Sequence, residues 1–431
     1  MSVTAVVGAQ WGDEGKGKII DELAARADYV VRYQGGGNAG HRVVYGEREF
    51  AFHQVPSGVL HPQTTGIIGN GVVVDPNGLL QEMEALRRQG VSMERLAISD
   101  RAHVVMPYHF ALDRLEEESK GAQKIGTVLR GIGPAYVDKY ARVGMRMGDL
   151  LDADQFRTKL TGVLQQKNRM ITQIYGGQAL ALDEIHAEYV AYGQQLRPFI
   201  SDTQRLLQDA LFEGRTILLE GAQGALLDVD FGTYPFVTSS STVAGNASTG
   251  AGLPPRSINR IIGVYKAYIT RVGSGPMPTE LHDEDGTAMR ERGHEYGTTS
   301  GRARRCGWFD AVMGRYVARL NGFDTVVVMK LDVLDAFPTL KICTQYALRG
   351  QTVTTPPANL NDLAACEPIY EEVPGWQCET KGITGYADLP GAAKRYLERL
   401  SELLQAPVAL ISVGPGRGQT ISLDGSLVGA A

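Results

Sequence analysis

The stretch Val3-Thr4-Ala5-Val6-Val7-Gly8-Ala9-Gln10-Trp11-Gly12-Asp13-Glu14-Gly15-Lys16-Gly17-Lys18-Ile19-Ile20 decides the fold. Val3–Val7 is a short, β-branched apolar run closed by a glycine, the pattern of a strand buried in a parallel sheet. A glycine-rich turn with lysine follows, then an apolar helix start. Strand, turn and helix in this order cradle phosphate, because backbone N–H groups and the helix N-terminus supply positive potential. A P-loop has four residues between its first glycine and Gly-Lys-[Ser/Thr]. Here six residues separate Gly8 from Gly15, and Gly17 follows Lys16 where Ser or Thr would bind magnesium. The loop is thus a relative of the P-loop. Its two extra residues bring in carboxylates, Asp13 and Glu14, which repel phosphate unless a metal or a proton transfer uses their charge. The plainer alternative is a solvent-exposed Asp-Glu turn.

Outward from this stretch, similar apolar runs recur at Tyr29–Tyr33, Gly66–Ile68, Thr216–Leu219, Ile261–Ile269, Thr325–Met329 and Val408–Val413. Helical spacing lies between several of them, as in Gly78–Gln89, where Leu79, Leu80, Met83 and Leu86 share one face. Alternating strands and helices predict an α/β fold: a large, mainly parallel central sheet with flanking helices. Residues 152–213 carry helical spacing (Tyr189, Leu196, Ile200) and no clear strand, and read as a helical insertion. No linker divides the chain, so residues 1–431 are expected to form one domain.

After the second strand comes Gln34-Gly35-Gly36-Gly37-Asn38-Ala39-Gly40-His41. A lone histidine is ordinarily a structural hydrogen bonder. Behind three glycines at a strand's carboxyl end, His41 reads as a site residue, because open α/β sheets bind ligands there.

Of 431 residues 52 are glycine, about 12% against a usual ~7%, and they cluster after apolar runs. The net charge of −5 argues against nucleic acid or an anionic membrane surface as partner, so any anion site is local. No run reaches the ~20 apolar residues of a membrane span, and no basic leader precedes the first strand. Four cysteines without a CxxC pair suit a reducing cytoplasm.

With Asn38-Ala39-Gly40-His41, the stretch Gln10–Lys18 resembles the N-terminal signature of adenylosuccinate synthetases. The resemblance continues in order through Arg130–Tyr136, Glu220–Gly224, Gly232–Thr238, Thr270–Gly273 with Gly275-Pro276, Gly297–Trp308 and Lys330–Asp335. It implies a P-loop-related, GTPase-like nucleotide site in a homodimer that ligates L-aspartate to IMP at the expense of GTP. It implies that Asp13 takes the N1 proton of IMP, that His41 donates to the transferring phosphoryl group, and that Mg2+ is held by Asp13 and the Gly40 carbonyl. GTP would lie against Gly12, Asp13, Glu14, Gly15, Lys16, Gly17, Lys18, Gly40, His41, Arg42 and Arg304. Its guanine would be read by Lys330, Leu331 and Asp332 and closed over by Ser412, Val413 and Gly414. IMP would meet Asp13, Glu14, Gly15, Lys16, Asn38, Ala39, Gly40, His41, Val128, Gln223, Thr238 and Arg302, with Arg142 reaching in from the partner subunit. Thr298, Thr299, Ser300, Gly301, Arg302, Ala303 and Arg304 would bind aspartate, the arginines as carboxylate forks. A solvated basic face is the alternative for residues 302–305.

The chain departs from the family's pattern in four places. Val128 replaces the second Thr of Gly-Thr-Thr-Gly, a contact of the IMP phosphate in the family, and so removes a hydrogen bond of roughly 1.5–3 kcal/mol. Arg42 stands for Thr, Ser241 for Asn, and Gly37 for a bulkier residue. Two rivals are a synthetase acting on a guanine nucleotide such as dGMP, and a GTPase-like switch without ligase chemistry.

Overall fold

A computed structural model describes residues 2–45, 48–121, 124–297 and 301–423. Ten strands form the central sheet in the spatial order Thr420–Ser422, Val408–Ser412, Thr325–Met329, Arg260–Lys266, Ser2–Gly8, Thr216–Glu220, Tyr29–Arg32, Thr65–Ile68, Leu96–Ser99, Ile200–Ser201. Every neighbouring pair is parallel except the Thr420–Ser422 edge, which is antiparallel to Val408–Ser412. The expected mainly parallel sheet therefore forms. Parallel order demands long crossovers, and helices supply them on both faces, which is why the strands are apolar on both sides. Val3, Ala5 and Val7 alternate with Val6 between separate apolar clusters, and all four are fully buried.

The predicted helix around residues 78–89 forms over Pro76–Arg88, entered through proline at its first turn and buried through Leu79, Met83 and Leu86. Two expectations differ in detail. The run Ile261–Ile269 is broken: Arg260–Lys266 belongs to the central sheet, while Ile269–Arg271 turns away to pair antiparallel with Arg305–Gly307. Residues 152–213 form the helices Ala153–Arg169, Leu182–Leu196 and Thr203–Phe212, yet they also contribute the edge strand Ile200–Ser201. Two residues show no period, and this strand exists because Ile98 and Ser99 offer an unpaired edge.

A parallel sheet gathers the carboxyl ends of its strands at one edge. Gly8, Arg32, Glu220, Lys266, Lys330 and Ser412 all leave their strands there, or one residue beyond. Register sets some of them side by side: Glu220 lies opposite Arg32 on the neighbouring strand.

Candidate active site

The loop after the first strand closes on itself. Glu14 is fully buried; its Oε1 accepts from Gln10 N at 3.0 Å and Gly12 N at 2.9 Å, and its Oε2 holds Lys16 Nζ at 2.6 Å. The solvent-exposed turn considered above does not form. Asp13, Arg142, Gln223 and Lys330 take positive φ of 57°, 66°, 56° and 60°, as do five other non-glycine residues among those described, a conformation unusual outside glycine. Asp13 Oδ2 accepts from Arg304 Nε at 2.8 Å, and its side chain is 31% exposed. Gly12 and Gly15 shape the turn, and the helix Lys16–Ala24 begins behind it, with Gly17 in its first turn.

His41 opens the hairpin His41–Tyr45/Arg48–Phe52 and stacks on Phe52, ring centroids 5.6 Å apart. Its Nε2 lies 3.5 Å from Glu220 Oε1, too long for a good hydrogen bond, and finds no partner among the described residues. Burial, then the charges of Arg32, Lys16 and His53, hold its pKa well below the usual value, so His41 is neutral at pH 7. A neutral imidazole has one N–H to donate. Glu220 is held from below by Ser57, whose N and Oγ each donate to Oε2 at 3.1 Å, and burial raises its pKa against the pull of Arg32.

Asn38, Gln223 and Thr238 meet: Gln223 Nε2 donates to Asn38 Oδ1 at 3.1 Å, and Asn38 Nδ2 to Thr238 Oγ1 at 3.4 Å. Ala39 and Gly40 continue this segment into His41, partly exposed. Val128 is 50% exposed, whereas Thr127 is committed, its hydroxyl donating to Asp113 Oδ1 at 2.9 Å. Asp113 Oδ2 also takes Gly131 N, and Glu117 takes the N–H groups of Ile125 and Gly126. A Cβ added at Gly126 would lie 4.0 Å from Arg302 Nη1, so these two segments face each other.

Thr298, Thr299 and Ser300 lie outside the described residues. Gly301, Arg302 and Ala303 are exposed, while Arg304 is buried between Asp13 and Glu295. Arg305 pairs with Glu280, so residues 302–305 do not form a solvated basic face as a whole. Lys330 Nζ donates to Gly293 O at 2.7 Å and Glu295 Oε1 at 2.6 Å. Leu331 is buried, and Asp332 Oδ1 is buried without a hydrogen-bond partner among the described residues, burial raising the pKa of its carboxyl. Lys18 does not point along the phosphate loop. Its Nζ donates to Ser412 Oγ at 2.9 Å, Gly414 O at 2.9 Å and Gln419 O at 3.0 Å, with burial lowering its pKa to about 8. It thereby ties the first helix to the Ser412-Val413-Gly414 segment. Arg42 turns outward to Glu49 at 2.9 Å, and Arg142 is an exposed helix cap. Ser241 donates to Asp228 Oδ2 at 2.9 Å, and a Cβ at Gly37 would meet only ordinary contacts with Gln54.

Sequence reasoning missed Glu295, and it took Glu220 only as the first residue of the Glu220–Gly224 motif. The lysines that meet Glu295 come from Lys266 and Lys330, far away in sequence, so no local spacing marks it.

A glycine-rich loop, a helix N-terminus, a base candidate and a buried unpaired carboxylate at one sheet edge define a nucleotide-dependent phosphoryl-handling α/β enzyme. The family model for adenylosuccinate synthetase matches residues 5–421. An adenylosuccinate synthetase of Heliobacterium modesticaldum is 56% identical over 98% of this chain and 99% of its own, and one of Carboxydothermus hydrogenoformans is 54% identical over the same shares. The fully ligated adenylosuccinate synthetase of Plasmodium falciparum superposes with a TM-score of 0.93 at 36% identity, covering 98% of this chain and 100% of that one. A cyanophage S-2L succinoaminodeoxyadenylate synthetase bound to dGMP and dATP shares the fold alone, with a TM-score of 0.61 at 20% identity over 98% and 95% of the two chains. The chain belongs to the adenylosuccinate synthetase family. It is a ligase of purine biosynthesis that joins L-aspartate to IMP at the expense of GTP.

Gly17 permits the close approach of His41: a Cβ there would lie 2.5 Å from His41 Cδ2. Alanine at this helical position favours the helix by roughly 0.5–1 kcal/mol. Gly17→Ala is therefore expected to leave the melting temperature within a few degrees of wild type while kcat falls about tenfold or more. Unchanged kcat would show that catalysis does not need His41 against the loop.

Proposed function

We propose that the ligation runs through phosphoryl transfer to IMP, with Asp13 as base. The Asp13 carboxylate takes the N1 proton of IMP; O6 then attacks the γ-phosphorus of GTP, and GDP leaves. The aspartate amine adds at C6 and loses a proton, and the C6–O bond breaks to release inorganic phosphate. The observation that best supports this reading is a phosphate loop carrying its own partly exposed carboxylate, held at positive φ with Oδ1 outside any hydrogen bond among the described residues. Neutral His41 donates its one N–H to the transferring group, and Lys16 and the N-terminus of its helix face the phosphates.

Magnesium fits the remaining donors. Asp13 Oδ1 and the Gly40 carbonyl are hard oxygen ligands, and Mg2+ takes one or two such groups beside substrate phosphates. Among the described residues no cluster of three acidic, His or Cys side chains forms a protein-only metal cage. Bound there, the ion would neutralise charge developing on the phosphates.

Guanine is assigned to Asp332, whose buried unpaired Oδ1 suits the N1–H and N2–H donors that adenine lacks. IMP is assigned to Asn38, Gln223 and Thr238 with Val128 near its phosphate, and aspartate to the 298–304 segment with Arg302 and Arg304 as forks. A second subunit is assigned to the face of the Ile132–Ala141 helix, where Val137 (65% exposed) and Tyr140 (76%) lie beside Arg142. One such patch on each copy makes an isologous dimer. Four free cysteines suit a reducing cytoplasm.

Phosphate release should require GTP, IMP and aspartate together, and omission of any one should abolish it; steady GTP hydrolysis without the other two would favour the switch reading. Asp13→Asn should remove nearly all turnover while GTP still binds, and turnover within tenfold of wild type would refute the base assignment. ATP should not replace GTP, and equal turnover with ATP would refute the assignment of Asp332.

Val128→Thr adds a hydroxyl at a half-exposed position, so it needs no internal partner, and the two side chains are nearly equal in size. With Thr127 already bonded to Asp113, the new hydroxyl is the available donor for the IMP phosphate. The IMP KM should fall by up to about tenfold, matching ~1.4 kcal/mol, with GTP and aspartate constants nearly unchanged. An unchanged IMP KM would remove the support for placing the IMP phosphate at this segment.

A further inference from the structure

Glu295 is fully buried and takes side-chain donors from three parts of the fold. Its Oε1 accepts from Lys266 Nζ at 2.8 Å, Lys330 Nζ at 2.6 Å and Tyr268 Oη at 2.5 Å; its Oε2 accepts from Arg304 Nη1 at 2.7 Å. The backbone reinforces this hub: Arg304 N donates to Glu295 O at 2.8 Å, and Lys330 Nζ also reaches Gly293 O at 2.7 Å. Burial works to raise the pKa of this carboxyl, but Lys266, Lys330 and Arg304 hold it far below the ordinary range, so it is charged throughout the physiological window.

The hub's position matters more than its charge. Glu295 and Arg304 begin and end a short antiparallel approach of residues 295–297 to 302–304. In it Tyr296 bridges Ala303, and Gly297 N donates to Arg302 O at 2.8 Å. Arg304 spends its Nε on Asp13 Oδ2 at 2.8 Å. Lys330 opens the turn Leu331–Leu334 that carries Asp332. One carboxylate therefore fixes the cation beside the base, both ends of the segment that follows it, and the first residue of the guanine turn.

We propose that Glu295 is a positioning residue that joins the aspartate half of the site to the guanine half, setting Arg304 against Asp13 and the Lys330 turn against the nucleotide. The proposal rests on the assignments of Arg304 and Lys330 made above. A residue that served folding alone would lower the melting temperature and the active fraction, leaving the KM values of the folded enzyme as they were. A positioning residue instead moves the KM of the substrates whose contacts it sets.

Glu295→Gln keeps the size and one acceptor oxygen while removing the charge that orders two lysines and an arginine. In the full-length enzyme, the KM for GTP and for aspartate should each rise at least tenfold, with the IMP KM changed less than threefold. All three KM values within twofold of wild type would overturn the proposal, whatever happens to the melting temperature; an equal rise in all three would do the same. Should Glu295→Gln not fold, a cycle of Arg304→Gln and Lys330→Gln decides the matter. Residues that share one anchor are not independent, so the second substitution should lower kcat/KM at least fivefold less in the presence of the first. Factors that simply multiply would overturn the proposal. Equal use of ATP and GTP by the wild-type enzyme would refute the guanine assignment alone, and the aspartate KM of Glu295→Gln would still judge Glu295 itself.

Discussion

A phosphate loop must hold its backbone N–H groups in place while no phosphate is bound, and here the buried carboxylate of Glu14 does this from inside. It accepts from Gln10 N and Gly12 N and neutralises Lys16. An ion can be buried in this way because paired charge and charge-assisted hydrogen bonds replace its water. Room for it comes from glycine. A Cβ at Gly8 would lie 2.6 Å from Glu14 Oε2, and one at Gly224 would lie 2.5 Å from Oε1. The two residues that lengthen this loop beyond P-loop spacing thus differ in task. Glu14 is a fixed internal counter-ion, whereas Asp13, held at a positive φ, keeps a partly exposed carboxylate against Arg304.

The same economy runs along the sheet's carboxyl edge. Arg304 is shared between Asp13 and Glu295, Lys330 rests on Glu295, and Arg32 lies 3.7 Å from Glu220 under His41. These groups converge because parallel strands end together; Arg304 and Lys330 are paired at hydrogen-bond distance, while the buried guanidinium of Arg32 makes no hydrogen bond among the described residues. His41 differs in kind: burial, with Arg32 and Lys16 nearby, holds its pKa well below the usual value and keeps it neutral.

Much of this was legible in the chain. Strands such as Val3–Val7 and Thr325–Met329 are apolar on both faces, and that composition follows from burial in a parallel sheet. Asp13 and His41 could be picked out because each sits among glycines just past a strand. The edge strand Ile200–Ser201 was not legible, since its pairing depends on a free edge far away in sequence. Nor was Glu295, whose importance lies in which distant cations reach it. The partners of Lys18 were likewise not legible: its Nζ is taken by the 412–419 segment, far away in sequence.

A site built from internal ion pairs has a consequence for affinity. A phosphate that draws Lys16 away from Glu14, or a carboxylate that draws Arg304 away from Asp13, breaks one charge-assisted bond to make another. Each such bond contributes roughly 1.5–3 kcal/mol, so the net gain is a difference between similar terms. Asp332 Oδ1, by contrast, is buried without a hydrogen-bond partner among the described residues, and Val128 is half-exposed. Substitutions there should change preference between ligands more than they change stability, because no internal pair is broken to make them.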